Sequence, residues 1–224
     1  MTFYAEDKEH SIFISSGHVK LAGLLYVPQN AEGIVLFAHG SGSSRHSARN
    51  KYVANILNEA NLATLLFDLL TPAEETIDLN TQQFRFDIPF LASRLIDVTS
   101  WCLKQLSTYH LKIGYFGAST GGGAALVAAA KESNTVSAVV SRGGRPDLAG
   151  GFLPYVKAPT LLIVGGNDEV VIEMNQTALT QMNCFTQLEI IPGATHLFEE
   201  AGTLPQVADL AKTWFIDYLS LAST

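Results

Sequence analysis

The stretch Gly117-Ala118-Ser119-Thr120-Gly121 lies between Leu111 to Phe116, an apolar run of the kind that forms a buried strand, and Gly122 to Ala130, a small-residue run that reads as a helix. A serine flanked this way has the form of a nucleophile elbow, a sharp strand-to-helix bend that holds a hydroxyl at its tip while the first helical amides point at the same space. The flanking glycines have a mechanical reason. The turn is tight enough that the residues two before and two after the serine meet neighbouring backbone, where a Cβ would clash or force a strained φ. A glycine-rich turn with an incidental serine gives the same five letters, so the surrounding chain has to decide between them.

Outward from this centre the pattern is that of strands alternating with helices. Ser11 to Ser15 and Val19 to Val27, with Gly17 between them, predict an antiparallel hairpin. Ile34 to Ala38, Leu62 to Phe67, Val136 to Val140 and Thr160 to Val164 are short continuous apolar runs, as expected of strands covered on both faces. Gln187 to Ile191 completes the strands. Helical spacing appears at Tyr52, Ile56 and Leu57, along Phe90 to Leu106, from about Val171 to Met182 and from about Leu204 to Leu219. Two segments lack a clear period. Leu69 to Phe86 is expected to be a mobile acidic loop over one end of the sheet, and Ser141 to Lys157 a glycine-rich loop. An early hairpin followed by alternating strands and helices implies an α/β fold, a mostly parallel sheet with helices on both faces.

In such a sheet, functional residues collect at the carboxyl ends of the strands. Ser119, Asp168 and His196 each follow a strand there, in the chain order that the elbow architecture uses. The chemistry asks for these three groups. A serine hydroxyl is a weak nucleophile until an imidazole takes its proton, and a carboxylate on the other ring nitrogen fixes the tautomer and stabilises the cation that forms. An oxyanion then needs two backbone donors, expected at the Thr120 amide and at the Ser41 amide in the turn His39-Gly40-Ser41-Gly42. Competing readings exist for each group. Asp168 stands where a helix N-cap would, Glu169 is a neighbouring carboxylate, and Asp68 follows a strand of its own. His39 is better placed to brace its turn, and His10, His18, His46 and His110 are scattered.

Composition narrows the classes. A chain of 224 residues fits one domain, 1–224, with a substantial core, and 47% hydrophobic with 16% charged residues is a folding composition. The net charge of −7 argues against a nucleic-acid surface. No apolar run approaches bilayer length, and Met1 to His10 lacks the basic and apolar regions of a secretory signal, so a cytoplasmic protein without a membrane partner is expected. Cys102 and Cys184 offer neither metal spacing nor a disulfide framework.

Taken together, the His-Gly turn after an early strand, the elbow, and Asp and His after the last strands make the chain resemble an α/β-hydrolase. Within that superfamily it is similar to the dienelactone hydrolase family, from about Val19 to Leu219. The resemblance implies a single-domain α/β-hydrolase fold with a minimal lid or none, acyl-enzyme chemistry, no cofactor and no metal. Members proper carry cysteine at the elbow; Ser119 in its place points to a serine esterase. The expected partner is a small-molecule ester, bound by a monomer or a homodimer. Arg45 and Arg49 follow the oxyanion turn, and Arg142 and Arg145 follow a later strand. Arg45 and Arg142 are candidates for holding a substrate anion, the alternative being that these arginines pair with Glu74, Glu75 and Asp78 or with loop carbonyls.

Overall fold

The computed structural model describes residues 4–106 and 109–220. Residues 1–3 of the polar N-terminal stretch lie outside the described residues. The hairpin is present as β1 (Glu9–Ser16) and β2 (Val19–Tyr26), turning at Gly17 with φ +55°. Six further strands follow: β3 (Gly33–Ala38), β4 (Leu62–Phe67), β5 (Lys112–Ala118), β6 (Val136–Arg142), β7 (Thr160–Gly165) and β8 (Thr186–Ile191). They form one sheet in the order β1-β2-β4-β3-β5-β6-β7-β8. β1, β2 and β4 pair antiparallel, and every pair from β4 to β8 is parallel.

Burial follows from the apolar runs. Every residue of β3, β4 and β7 is buried, because helices cover both faces. α1 (Ala48–Glu59) and α6 (Thr203–Leu219) pack on one face over Phe37 and Phe116, α6 contributing Phe215. α3 (Ile88–Gln105), α4 (Thr120–Lys131) and α5 (Glu169–Leu179) cover the other, over Tyr115, with Leu95 supplied by α3 and Leu126 by α4. From β3 the chain steps outward to β4, then back across to β5 on its other side. That reversal opens a crevice beyond the carboxyl ends of β3 and β5, where such sheets hold their ligands.

Both segments without a clear period depart from expectation. Within 69–86 the chain forms a helix, α2 (Pro72–Thr81), in place of a mobile loop. Its start is fixed by a reciprocal cap: the Glu74 amide donates to Thr71 Oγ1 at 3.2 Å and the Thr71 amide donates to Glu74 Oε2 at 2.7 Å, with Pro72 in the first turn. Its acidic residues face inward as much as outward. Asp78 is 2% exposed and accepts from the Phe84 and Arg85 amides at 2.7 and 3.1 Å and from Arg85 Nε at 2.6 Å. Burial pushes the Asp78 carboxyl up, but the Arg85 guanidinium and the two amides outweigh it and hold the group below the usual carboxylate range. Arg94 Nη2 donates to Glu74 Oε1 at 2.6 Å and Arg94 Nη1 to the Ser16 carbonyl at 3.2 Å, tying α2 to α3 and to the hairpin. Within 141–157, β6 runs on through Ser141 and Arg142, and 3₁₀ turns span Pro146–Tyr155, broken at Gly150. No helical lid is inserted there among the described residues.

Asp78→Ala leaves the Arg85 guanidinium and two amides without their acceptor. It should lower the unfolding free energy by about 3 kcal/mol, the scale for losing one partner of a buried charged pair, as measured by urea denaturation.

Candidate functional site

Ser119 sits at φ +51°, ψ −121°, a conformation that costs a non-glycine residue energy and needs the surroundings to hold it. Three backbone bonds do so. The Ser119 amide donates to the Arg142 carbonyl at 3.2 Å, and the Ser119 carbonyl accepts from the Gly122 and Arg145 amides at 2.9 and 3.0 Å. The flanking glycines are required by contact as well as by turn geometry. A Cβ on Gly121 would stand 2.1 Å from the Ala38 carbonyl oxygen and 2.6 Å from that of His39. The first turn of α4 therefore lies directly against the end of β3, and the Ser119 hydroxyl is carried to the crevice between them.

Asp168 and His196 reach the same place from the other side. At Gly165, the end of β7, a Cβ would come within 2.5 Å of the Ala194 carbonyl oxygen, so the loop after β8 packs backbone to backbone on the strand that leads to Asp168. The Thr195 hydroxyl and amide donate to the two carboxylate oxygens of Glu200 at 2.6 and 3.1 Å, closing that loop around His196. Asp168 stands at the N-cap of α5, yet its side chain makes no capping bond. Its Oδ2 accepts from His196 Nδ1 at 2.7 Å, which leaves Nε2 as the bare nitrogen, 3.3 Å from Ser119 Oγ. A hydroxyl, an imidazole and a carboxylate are thus brought into series at the carboxyl edge, an arrangement able to move a proton from Ser119 Oγ to Nε2.

The competitors have other partners or none. Glu169 is exposed and makes no contact with His196. Asp68 accepts from the Arg45 amide at 2.7 Å and forms an ion pair with the Arg45 guanidinium. His39 is buried and neutral: its Nδ1–H donates to the Gly40 carbonyl at 2.9 Å and Nε2 accepts from the Leu69 amide at 3.0 Å, bracing the turn as expected. Ser41 and Thr120 lie side by side, the Ser41 amide donating to Thr120 Oγ1 at 3.1 Å.

The arginines are placed otherwise than the pairing alternative expects. Asp78 and Glu74 are taken by Arg85 and Arg94, whereas Arg49 pairs with Glu199 and Arg145 with Asp147. Arg142 is 7% exposed, and its guanidinium donates from Nη2 to Asn50 Oδ1 at 3.4 Å, with the Phe198 ring 5.9 Å away. Burial, and then the charge of Arg49, pull its pKa down to about 10, so it stays a cation at neutral pH. Residues that sequence reasoning passes over are Thr195 and Glu200, Asn175, whose Nδ2 holds the Gly144 carbonyl at 3.0 Å, and the Thr120 side chain. Thr195, Glu200 and Asn175 belong to no motif that marks them, and Thr120, although inside the elbow motif, is singled out there for its amide and not for its hydroxyl.

Comparison with known proteins agrees with this fold. Residues 21–219 match the family model described as dienelactone hydrolase family. The structure of a dienelactone hydrolase from Anabaena variabilis ATCC 29413 is 63% identical, with a TM-score of 0.92 over 95% of this chain and 98% of that one. A Xanthomonas campestris protein described as an α/β serine hydrolase without a lid shares the fold at 19% identity, with a TM-score of 0.77 over 99% and 100% of the two chains. Two Mycobacterium tuberculosis proteins, provisionally named phosphoribosyl transferases, are 61% identical over 212 residues, 95% of this chain and 47% of theirs. The chain therefore spans about half the length of those curated relatives. No helix among the described residues is long and apolar enough to cross a membrane.

Gly121→Ala should unseat the elbow from β3 and lower the melting temperature, since neither neighbour at 2.1 and 2.6 Å is a side chain that can turn away. For His39, burial lowers the pKa below the ordinary 6.5. The unfolded chain then takes up this proton at a higher pH than the folded chain does. The His39 contribution is complete above about pH 6.5 and is lost as pH falls below it. His39→Gln, which keeps an acceptor for Leu69, should flatten that part of a stability-against-pH curve measured by denaturant.

Proposed function

The chain belongs to the dienelactone hydrolase family, and from that membership and the geometry of its crevice we propose a serine hydrolase that cleaves small, short-acyl carboxylic esters through an acyl-enzyme on Ser119. The observation that carries this reading is the unbroken series of 2.7 Å and 3.3 Å contacts from Asp168 through His196 to Ser119, assembled from three separate loops. As Ser119 Oγ attacks the ester carbonyl, His196 Nε2 takes its proton, and Asp168 stabilises the imidazolium through Nδ1–H. The carbonyl oxygen, now an oxyanion, is met by the amides of Thr120 and Ser41. His196 returns the proton to the departing alkoxide, leaving the acyl group on Ser119. Water, deprotonated by the same imidazole, then releases the acid.

A small substrate fits the surroundings. Among the described residues no helical insertion roofs the crevice, and the cavity beside the oxyanion turn, lined by Leu70, Leu79, Leu91 and Glu75 among others, is small, with a volume of about 40 Å³. In this reading the domain extends over the whole chain, which matches 47% of the length of the mycobacterial relatives. Thioester and amide substrates would use the same groups and differ only in leaving group. Of the two arginines considered for a substrate anion, Arg45 is already neutralised by Asp68, and Arg142 keeps its charge without a carboxylate.

Ser119→Ala should reduce hydrolysis of p-nitrophenyl acetate by a factor on the order of 10⁴ or more while leaving the melting temperature in place. A fluorophosphonate should attach to Ser119, located by peptide mass spectrometry; attachment elsewhere would reject the assignment. Across a panel of neutral and anionic esters, thioesters and amides, esters should turn over fastest. Arg142→Lys should lower kcat/KM for anionic esters relative to neutral ones, and Arg45→Gln should not.

A further inference from the structure

One of the two amides that the proposed mechanism asks to receive the oxyanion is already engaged. The Ser41 N–H donates to Thr120 Oγ1 at 3.1 Å, and the hydroxyl oxygens of the two residues stand 3.0 Å apart. The Ser41 hydroxyl reaches on to the Arg85 carbonyl at 3.4 Å, a bond in which only the hydroxyl can donate. With its single proton used there, the Thr120 hydroxyl must be the donor between the two oxygens. Thr120 Oγ1 thus receives the very N–H an oxyanion would need. It does so from the residue whose own amide, the first of α4, is the other expected donor and has no partner within the helix. Thr120 is 3% exposed, which keeps bulk water from competing for the position.

We propose that the Thr120 hydroxyl is a built-in occupant of the oxyanion site: it satisfies the Ser41 amide in the resting enzyme and turns aside when an acyl carbonyl enters, passing that N–H to the developing oxyanion. This rests on the hydrolase reading above. Ser41 itself is exposed, but its amide points at the buried Thr120 side chain, whose hydroxyl oxygen supplies an acceptor without sealing the site. The exchange favours the transition state over the bound substrate. A neutral carbonyl oxygen accepts about as well as a neutral hydroxyl and gains little by displacing it, whereas an anionic oxygen is the stronger acceptor and wins. Ser41 and Thr120 both line the small cavity beside this turn, so the hydroxyl borders space into which it can rotate. Of the two other staggered positions about the Thr120 Cα–Cβ bond, one puts the methyl where the oxygen was, and the other leaves only the Cβ hydrogen there. The second is the open state.

The experiment measures binding of an aryl trifluoromethyl ketone, which forms a hemiketal oxyanion on an active serine, to the wild type, Thr120→Ala and Thr120→Ser, with the Ser41 amide followed by ¹⁵N NMR. Thr120→Ala removes the occupant and should bind the ketone several-fold to tenfold tighter; Thr120→Ser, which keeps the hydroxyl, should gain less. In free wild type the Ser41 amide proton should carry the shift of a bonded amide, move on Thr120→Ala substitution, and move further downfield in the ketone adduct. Unchanged or weaker ketone binding by Thr120→Ala would overturn the proposal, the first meaning that the hydroxyl does not compete and the second that it assists the oxyanion directly. If the wild type forms no adduct on Ser119, the hydrolase reading itself falls, an outcome distinct from an adduct that forms equally well in both proteins.

Discussion

The contact on which the rest depends is the one between the first turn of α4 and the end of β3, where the Gly121 backbone meets the Ala38 and His39 carbonyl oxygens with no space for a side chain. Because that approach is backbone on backbone, it leaves almost no freedom in the relative position of the two loops that leave β3 and β5. The strained Ser119 conformation persists because its amide and carbonyl are both held by the neighbouring β6 turn. Fixing β3 against β5 also fixes the Ser41 amide against Thr120, so the nucleophile and the proposed oxyanion donors are placed by one packing event.

α2 adds a wall to this arrangement without adding a roof. Its Asp78 and Glu74 hold Arg85 and Arg94, and Arg85 in turn presents the carbonyl that accepts from the Ser41 hydroxyl. Acidic residues that would otherwise be a solvated face are inward anchors, each matched by a guanidinium. The turn His39-Gly40-Ser41-Gly42 is consequently braced by the His39 ring and by the segment after α2.

Much of the fold was legible because covered strands have a composition of their own: runs such as Ile34 to Ala38 and Thr160 to Val164 announce strands buried on both faces. The three residues of the crevice were legible because glycine positions and chain order constrain them strongly. α2 escaped because its apolar residues, Ile77 and Leu79, are exposed and give no stripe, although Thr71-Pro72-Ala73-Glu74 is a helix-start signature present in the letters. The arginine partners were beyond reach for a different reason. Arg45 with Asp68 and Arg49 with Glu199 are pairs made by tertiary packing, and nothing in local spacing encodes them. The engagement of the Ser41 amide by Thr120 belongs to the same class, being a contact across 79 positions of sequence.

His196 is suspended from β8, the outermost strand of the sheet, which is hydrogen-bonded along one side only. Fraying of a sheet margin takes less free energy than melting the centre. Withdrawal of β8 from β7 would carry the imidazole off while β3, β5 and Ser119 stayed in register. On the reading of Ser119 as nucleophile, opening of that margin would part the imidazole from the hydroxyl with most of the core intact, well short of global denaturation.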